Sequence, residues 1–126
     1  MSSMFRYRDL EAWQKGMDLV EACYRLTTSF PKEELYGLTS QIRRASVSIP
    51  SNLAEGHSRR STGAYINHVS IALGSHGELE TCIEIAIRLG FVSSTDVDAV
   101  VAQSSSVGRL LYGLHKSLER NNYPRG

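Results

Sequence analysis

No apolar run in the sequence approaches the roughly 20 residues that a membrane-spanning helix needs. The opening stretch, MSSMFRYRDLEAWQKG, lacks the continuous apolar segment of a secretory leader. Both absences point to a cytoplasmic protein without a membrane partner. Cysteine is scarce: Cys23 and Cys82 are the only two, each inside an apolar row. In a reducing compartment they read most simply as buried thiols. An excess of one charge sign is missing too, since 14 Lys and Arg against 13 Asp and Glu leave a net +1. An electrostatic argument must therefore rest on where the charges sit. Proline occurs only at positions 31, 50 and 124, few enough for long helices. Strand alternation, internal repeats, linkers and low-complexity segments are all absent. What is left is one all-α domain over 1–126, with an ordered core at about 5–120.

The usual chemical constellations are missing as well. His57, His68, His76 and His115 stand in no HExxH or CxxC setting, so no metal site is expected. His76 falls on an apolar face and reads as a satisfied core histidine. Glu55-Gly56-His57-Ser58 brings a carboxylate, an imidazole and a hydroxyl close in sequence. Adjacency along a chain is not the geometry that activates a nucleophile, and no GxSxG surrounds the serine. Glu55 and the serines at 46, 48 and 51 read instead as partners for backbone freed around Pro50. Glu78, Glu80 and Glu84 lack the Glu-x-x-His of di-iron bundles, and Glu84 with Arg88 reads as a solvated i,i+4 pair. The glycines stand singly, without a phosphate loop. The expectation is a protein with no catalytic residues and no cofactor.

Four segments carry helical periodicity. The first is predicted from about Asp9 to Ser29, its main face formed by Leu10, Trp13, Met17, Val20, Tyr24 and Thr27. A second row, Leu19, Cys23, Leu26 and Phe30, lies beside it, and Phe30-Pro31 stops the helix. The second is predicted to start near Glu33 or Glu34, to bury Leu38, Ile42, Ala45, Ile49 and Leu53, to kink at Pro50 and to end around Gly56 to Ser58. The third begins after Ser61 or Thr62 as cap and buries Tyr65, Val69, Ala72, His76, Leu79, Ile83 and Ala86, until Gly90 ends it. Ile66, Leu73 and Ile87 widen this face. Gly74 and Gly77, each unfavourable in a helix interior, predict close approach by another helix. The fourth takes Ser94 or Thr95 as cap and buries Val97, Val100, Ser104, Val107, Leu111, Leu114 and Leu118, with a frayed tail from Asn121 to Gly126. Short connections favour an antiparallel up-down-up-down four-helix bundle. The apolar faces are wider than a lone bundle requires, which points to a homo-oligomer. Drift of the apolar row along long helices is the alternative account of that width.

Two stretches, FPKEELYGLTSQIRRASVSIPSNLAEGHSR at 30–59 and ALGSHGELETCIEIAIRLGF at 72–91, together with YRDLEAWQKG near the start, carry a resemblance. They are similar to the bacterial four-helix-bundle family found in intervening sequences of 23S ribosomal RNA genes (the S23 family), over residues 5 to about 118. Trp13 stands where that family usually has its tryptophan. Gly77 departs from it, in a position where the family more often has a larger residue. The resemblance implies a left-handed bundle assembled into a ring, commonly a pentamer, with no enzymatic activity. It also implies a likeness to the accessory protein of diversity-generating retroelements, which binds nucleic acid and a reverse transcriptase.

An antiparallel bundle sorts charge by end. The chain start, the connection between the second and third helices, and the chain end collect Arg6, Arg8, Arg59, Arg60, Lys116, Arg120 and Arg125 against Asp9, Glu11, Glu55 and Glu119. The opposite end collects Arg25, Lys32 and Arg88 against five acids, and the middle, which includes Lys15 and Arg109, cancels. The basic end also holds the start of the third helix, whose free backbone donors favour an anion. Arg59 and Arg60 would hold a phosphate there, and His57 would add a donor when protonated. Cations at helix C-termini also complement the dipole, which accounts for Lys116 and Arg120 without a ligand. Arg43 and Arg44 are adjacent on one helix and point about 100° apart, so they cannot serve one partner equally. One is expected to pair with an acid across an oligomer interface and the other to face solvent. The candidate partners are a second copy of the chain, RNA or DNA, and a reverse transcriptase or other protein. With no exposed aromatic platform expected, nucleic acid would be held without reading bases. The competing reading is a scaffolding oligomer with a protein partner.

Overall fold

The computed structural model describes residues 6–122. Its helices are α1 (Glu11–Thr27), α2 (Leu38–His57), α3 (Thr62–Arg88) and α4 (Ser94–Asn122), with 3-10 turns at Tyr7–Asp9 and Lys32–Glu34. Among the described residues there is no strand. Helices adjacent in sequence pack together and α4 closes against α1, while the diagonal pairs stay apart at the backbone. Each seam runs antiparallel. Across α1 and α2, Gly16 meets Ile49 while Tyr24 and Thr27 meet Arg43. Across α2 and α3, Gln41 pairs with Cys82, Ser48 with Ser75 and Asn52 with His68. Across α3 and α4, His76 meets Ser104 and Ser70 meets His115. This is the predicted up-down-up-down bundle.

The core follows the predicted rows in α2, α3 and α4, and corrects the one in α1. Leu19 and Cys23 are fully enclosed, with Leu26 and Phe30 beside them, whereas Met17 and Tyr24 are 38% and 42% exposed. Rows that lie side by side on a helix have the same period, so spacing cannot say which of them turns inward. Ala12 and Gly16 extend the inner row, and the missing side chain at Gly16 lets α1 settle on Ile49 and the Pro50 ring. Cys23 and Cys82 are both buried and free.

The element ends hold further corrections. α1 starts two residues later than predicted and stops at Thr27. Glu33 and Glu34 do not open α2. They lie in a 3-10 turn, and Glu34 reaches forward to accept the Leu38 N–H at 3.0 Å. The acid thus still caps the positive helix end, from four residues upstream. α2 runs through Pro50 as one element, while Ser46 Oγ donates to the Arg43 carbonyl and Asn52 Nδ2 to the Ser48 carbonyl. Ser61 caps α3, its hydroxyl accepting from Ala64 N–H. Gly90, at φ +76°, ends α3: its N–H bonds Ile87 and the Phe91 N–H bonds Ala86, the paired bonds of a left-handed C-terminal cap. Ser93, one residue earlier than predicted, caps α4 by accepting from Asp96 N–H. The tail expected to fray is helical through Asn122, and 123–126 lie outside the described residues.

The glycine expectation is overturned. A Cβ at Gly74 or Gly77 would meet nothing within 4 Å. The close approaches are at Gly56, where a Cβ would lie 2.6 Å from His68, and at Gly108, where it would lie 2.6 Å from the His76 ring.

Candidate nucleic-acid interface

The antiparallel order brings the start of α1, the end of α2, the start of α3 and the end of α4 to one end of the bundle. Arg6 precedes the first 3-10 turn and Arg8 lies within it, and the turn packs on α1 and α2. Arg59 and Arg60 lie in the α2–α3 connection, and Lys116 and Arg120 in the last turns of α4. All six side chains are exposed. Arg125 lies outside the described residues.

The two ends of the bundle differ in how their charges are used. At the far end Arg25 pairs with Glu21 at 3.2 Å and Arg88 with Glu84 at 3.0 Å, both as i,i+4 contacts along one helix. Among the described residues no carboxylate comes within 4.0 Å of Arg59, Arg60, Lys116 or Arg120. Two of the acids near them are engaged elsewhere. Asp9 accepts the Arg6 N–H at 3.1 Å, and Glu119 faces His115 Nδ1 at 3.4 Å. Arg8 leans over the rings of Trp13 and Tyr7, 5.4 and 5.9 Å from their centroids, a cation–π seat that holds its guanidinium at the surface.

His57 is half-buried and meets Tyr65 edge to face at 5.6 Å. The Tyr65 hydroxyl is buried without a hydrogen-bond partner among the described residues, and burial pushes its pKa up. Ser58 Oγ donates to the Ala54 carbonyl at 2.8 Å, a local helix-end bond with no link to a base.

Arg43 leaves the candidate set. Its Nε donates to Thr27 Oγ at 2.9 Å and its guanidinium covers the Tyr24 ring at 4.7 Å, so it fastens α2 to α1 within the chain. The expected choice between a partner acid and solvent does not describe it. Arg44 is exposed and lines a polar groove on α2 and α3 with Gln41, Ser48, Ser75 and Glu78.

Two residues outside the predicted set belong to the same surface. Arg109 is exposed, and Tyr112 is 64% exposed, on α4 beside Lys116. Tyr112 corrects the expectation that no aromatic platform is exposed. Its signal in the sequence was the 3, 4, 4 spacing of Arg109, Tyr112, Lys116 and Arg120; the ends-and-middle division of charge had hidden it.

One constellation looks catalytic. Ser104 Oγ lies 3.1 Å from His76 Nε2 and 3.4 Å from Glu80 Oε2. The geometry argues against a charge relay. Nε2 is 2.7 Å from the Ser104 carbonyl, which only accepts, so this nitrogen carries the proton and cannot take one from Oγ. Ser104 is 1% exposed, out of reach of a substrate. His76 is the satisfied core histidine its position predicted. Among the described residues no cluster of three metal-ligating side chains occurs, and no helix is long and apolar enough to cross a membrane.

Residues 8–113 match the family described as 23S rRNA-intervening sequence protein. A crystal structure of a protein of unknown function from the S23 ribosomal protein family, from Bacteroides thetaiotaomicron, superimposes with a TM-score of 0.77. It is 24% identical, over 83% of this chain and 95% of that one, and so supports the fold. No curated protein matches the sequence.

Proposed function

The chain belongs to the 23S rRNA-intervening sequence protein family, and from that premise we propose that it is a non-enzymatic homo-oligomer of the cytoplasm that binds nucleic-acid phosphates through its basic end. The observation that carries this reading is the contrast in ion pairing. At the far end two of the three cations, Arg25 and Arg88, pair with a carboxylate one turn away and Lys32 does not, whereas Arg59, Arg60, Lys116 and Arg120 all lack a carboxylate within 4.0 Å among the described residues. An exposed, unpaired cation binds a polyanion without first breaking an ion pair, and displaces condensed counterions from it. The α3 N-terminus between Arg60 and Ala64 adds backbone dipole of the same sign. A ring of copies, a pentamer by family resemblance, would repeat this end around an axis and raise affinity by multivalency.

The test is titration of labelled RNA and DNA at several salt concentrations. If four cations engage phosphates of a single strand, log K against log salt should fall with a slope of roughly −3. Arg59→Ala/Arg60→Ala should about halve that slope. Absence of binding at low salt would sink the proposal.

A second reading, a scaffold for a reverse transcriptase or another protein, is favoured by the apolar row that α1 leaves outside, with Met17 and Tyr24 exposed and Trp13 and Val20 half-buried. Loss of function on mutating that row, with nucleic-acid binding intact, would favour it.

A further inference from the structure

We infer that the outward face of α4 is a binding track for single-stranded nucleic acid, on which Tyr112 stacks an unpaired base while Arg109, Lys116 and Arg120 hold the flanking phosphates. This deepens the phosphate-binding reading and rests on it.

At 100° per residue the four side chains fall within an arc of about 80°, and over about 16 Å of helix. That arc lies on the outer side of α4, away from the buried row of Val100, Val107 and Leu111, with Tyr112 at its edge towards the α3–α4 seam. All four residues are exposed, and among the described residues none of the three cations has a carboxylate within 4.0 Å. Two acids flank the track: Glu119, which faces His115, and Glu80, across the groove that Arg109 and Tyr112 line.

Tyr112 is 64% exposed on the helix surface, has no ring partner among the described residues, and differs from the more exposed Tyr36 in lying between cations on one helix face. Beside it a groove of about 630 Å³ opens along the α3–α4 seam, walled by Leu73 and His76 and bordered by Gly108 and Gly113. Gly113 leaves the helix surface bare next to the ring, while Gly108 is crossed by the His76 imidazole. Glu80 lines the same groove. Its carboxylate repels phosphate, which keeps the backbone on the cationic track outside and leaves the groove for a neutral base. A base can meet the Tyr112 ring only if its own face is uncovered, as in a single strand; in a duplex both faces of each internal base are stacked. Charge complementarity thus selects nucleic acid, and the exposed ring selects the unpaired form.

The experiment measures affinity of the full chain for a fluorescein-labelled oligothymidylate and for the same strand paired with oligodeoxyadenylate. Tyr112→Ala should weaken the single strand about tenfold, Tyr112→Phe should stay close to wild type, and neither should change duplex affinity. Arg109→Ala should weaken the single strand and flatten its salt dependence. Unchanged single-strand affinity in Tyr112→Ala, or equal losses on both probes, would overturn the inference. Binding that needs Arg59 and Arg60 but is indifferent to Tyr112 overturns this inference alone. No binding of either probe overturns it together with the phosphate-binding reading.

Discussion

Cys23 illustrates what enclosure does to a single residue. Its side chain has no exposure, and burial pushes its thiol up to about 12 from an ordinary 9.0, with the Ser46 hydrogen bond pulling weakly the other way. Cys82 is raised too, by burial first and then by the Glu78 charge. At pH 8 the folded chain should hold about a thousandfold less Cys23 thiolate than an open thiol would. Alkylation should therefore be slow in the native protein and fast in denaturant, and rapid native labelling would contradict the packing. The sign of the linkage follows. A thiol held protonated by folding favours the native state below about pH 9, and that contribution is lost as pH rises towards 12. The unfolding midpoint should accordingly drop above pH 9, and drop less in Cys23→Ala. Burial of both thiols was readable from their apolar rows. The role of Arg43 was not: its neighbour Arg44 has the same charge and the same helix, and only the position of Thr27 and Tyr24 on α1 separates them.

For the helices, glycine is the informative residue. Gly108 leaves room for the His76 ring, which crosses it to reach the Ser104 carbonyl at 2.7 Å. Gly108→Ala would put a methyl 2.6 Å from that ring, so the imidazole must move and the bond stretch. The expected loss is about 1–3 kcal/mol of stability in urea unfolding. Gly74→Ala and Gly77→Ala meet open space and should each stabilise the helix by about 0.5–1 kcal/mol. Destabilisation at 74 or 77 would mean that a second chain packs there. The sequence identified glycines as places for close approach but chose the wrong ones. Which glycine faces a neighbour depends on helix phase, and α3 is apolar enough around its circumference to obscure that phase. α1 presents the same difficulty: two neighbouring rows have equal period, and the smaller side chains at Ala12 and Gly16 fit the seam with α2.

The bundle differs along its axis: among the described residues Arg59, Arg60, Lys116 and Arg120 at one end have no ion pair, and Arg25 and Arg88 at the other do. Its sides still carry apolar surface: Met17, Tyr24, Val47, Ile71 and Ile85 are all 38–44% exposed. If these faces meet in a homo-oligomer, light scattering should give a multiple of 14.0 kDa, and Met17→Glu should shift the population towards the single chain. A wild-type mass of one chain would refute the assembly. The basic end was legible because an antiparallel order follows from short connections. Tyr112 was missed because a sorting by ends ignores the outward face of a single helix.

The sequence by itself determined the all-helical class, the four segments, their antiparallel order and most of the core, because apolar spacing of 3 and 4 has one solution at this length. It also carried the family. Tertiary structure decided which of two equal rows on α1 turned inward, which glycines a neighbour crosses, which arginine became structural, and which cations have no ion pair among the described residues. Each of these depends on what lies across a seam, and a periodic pattern along one chain records the face of a helix without recording what packs against it.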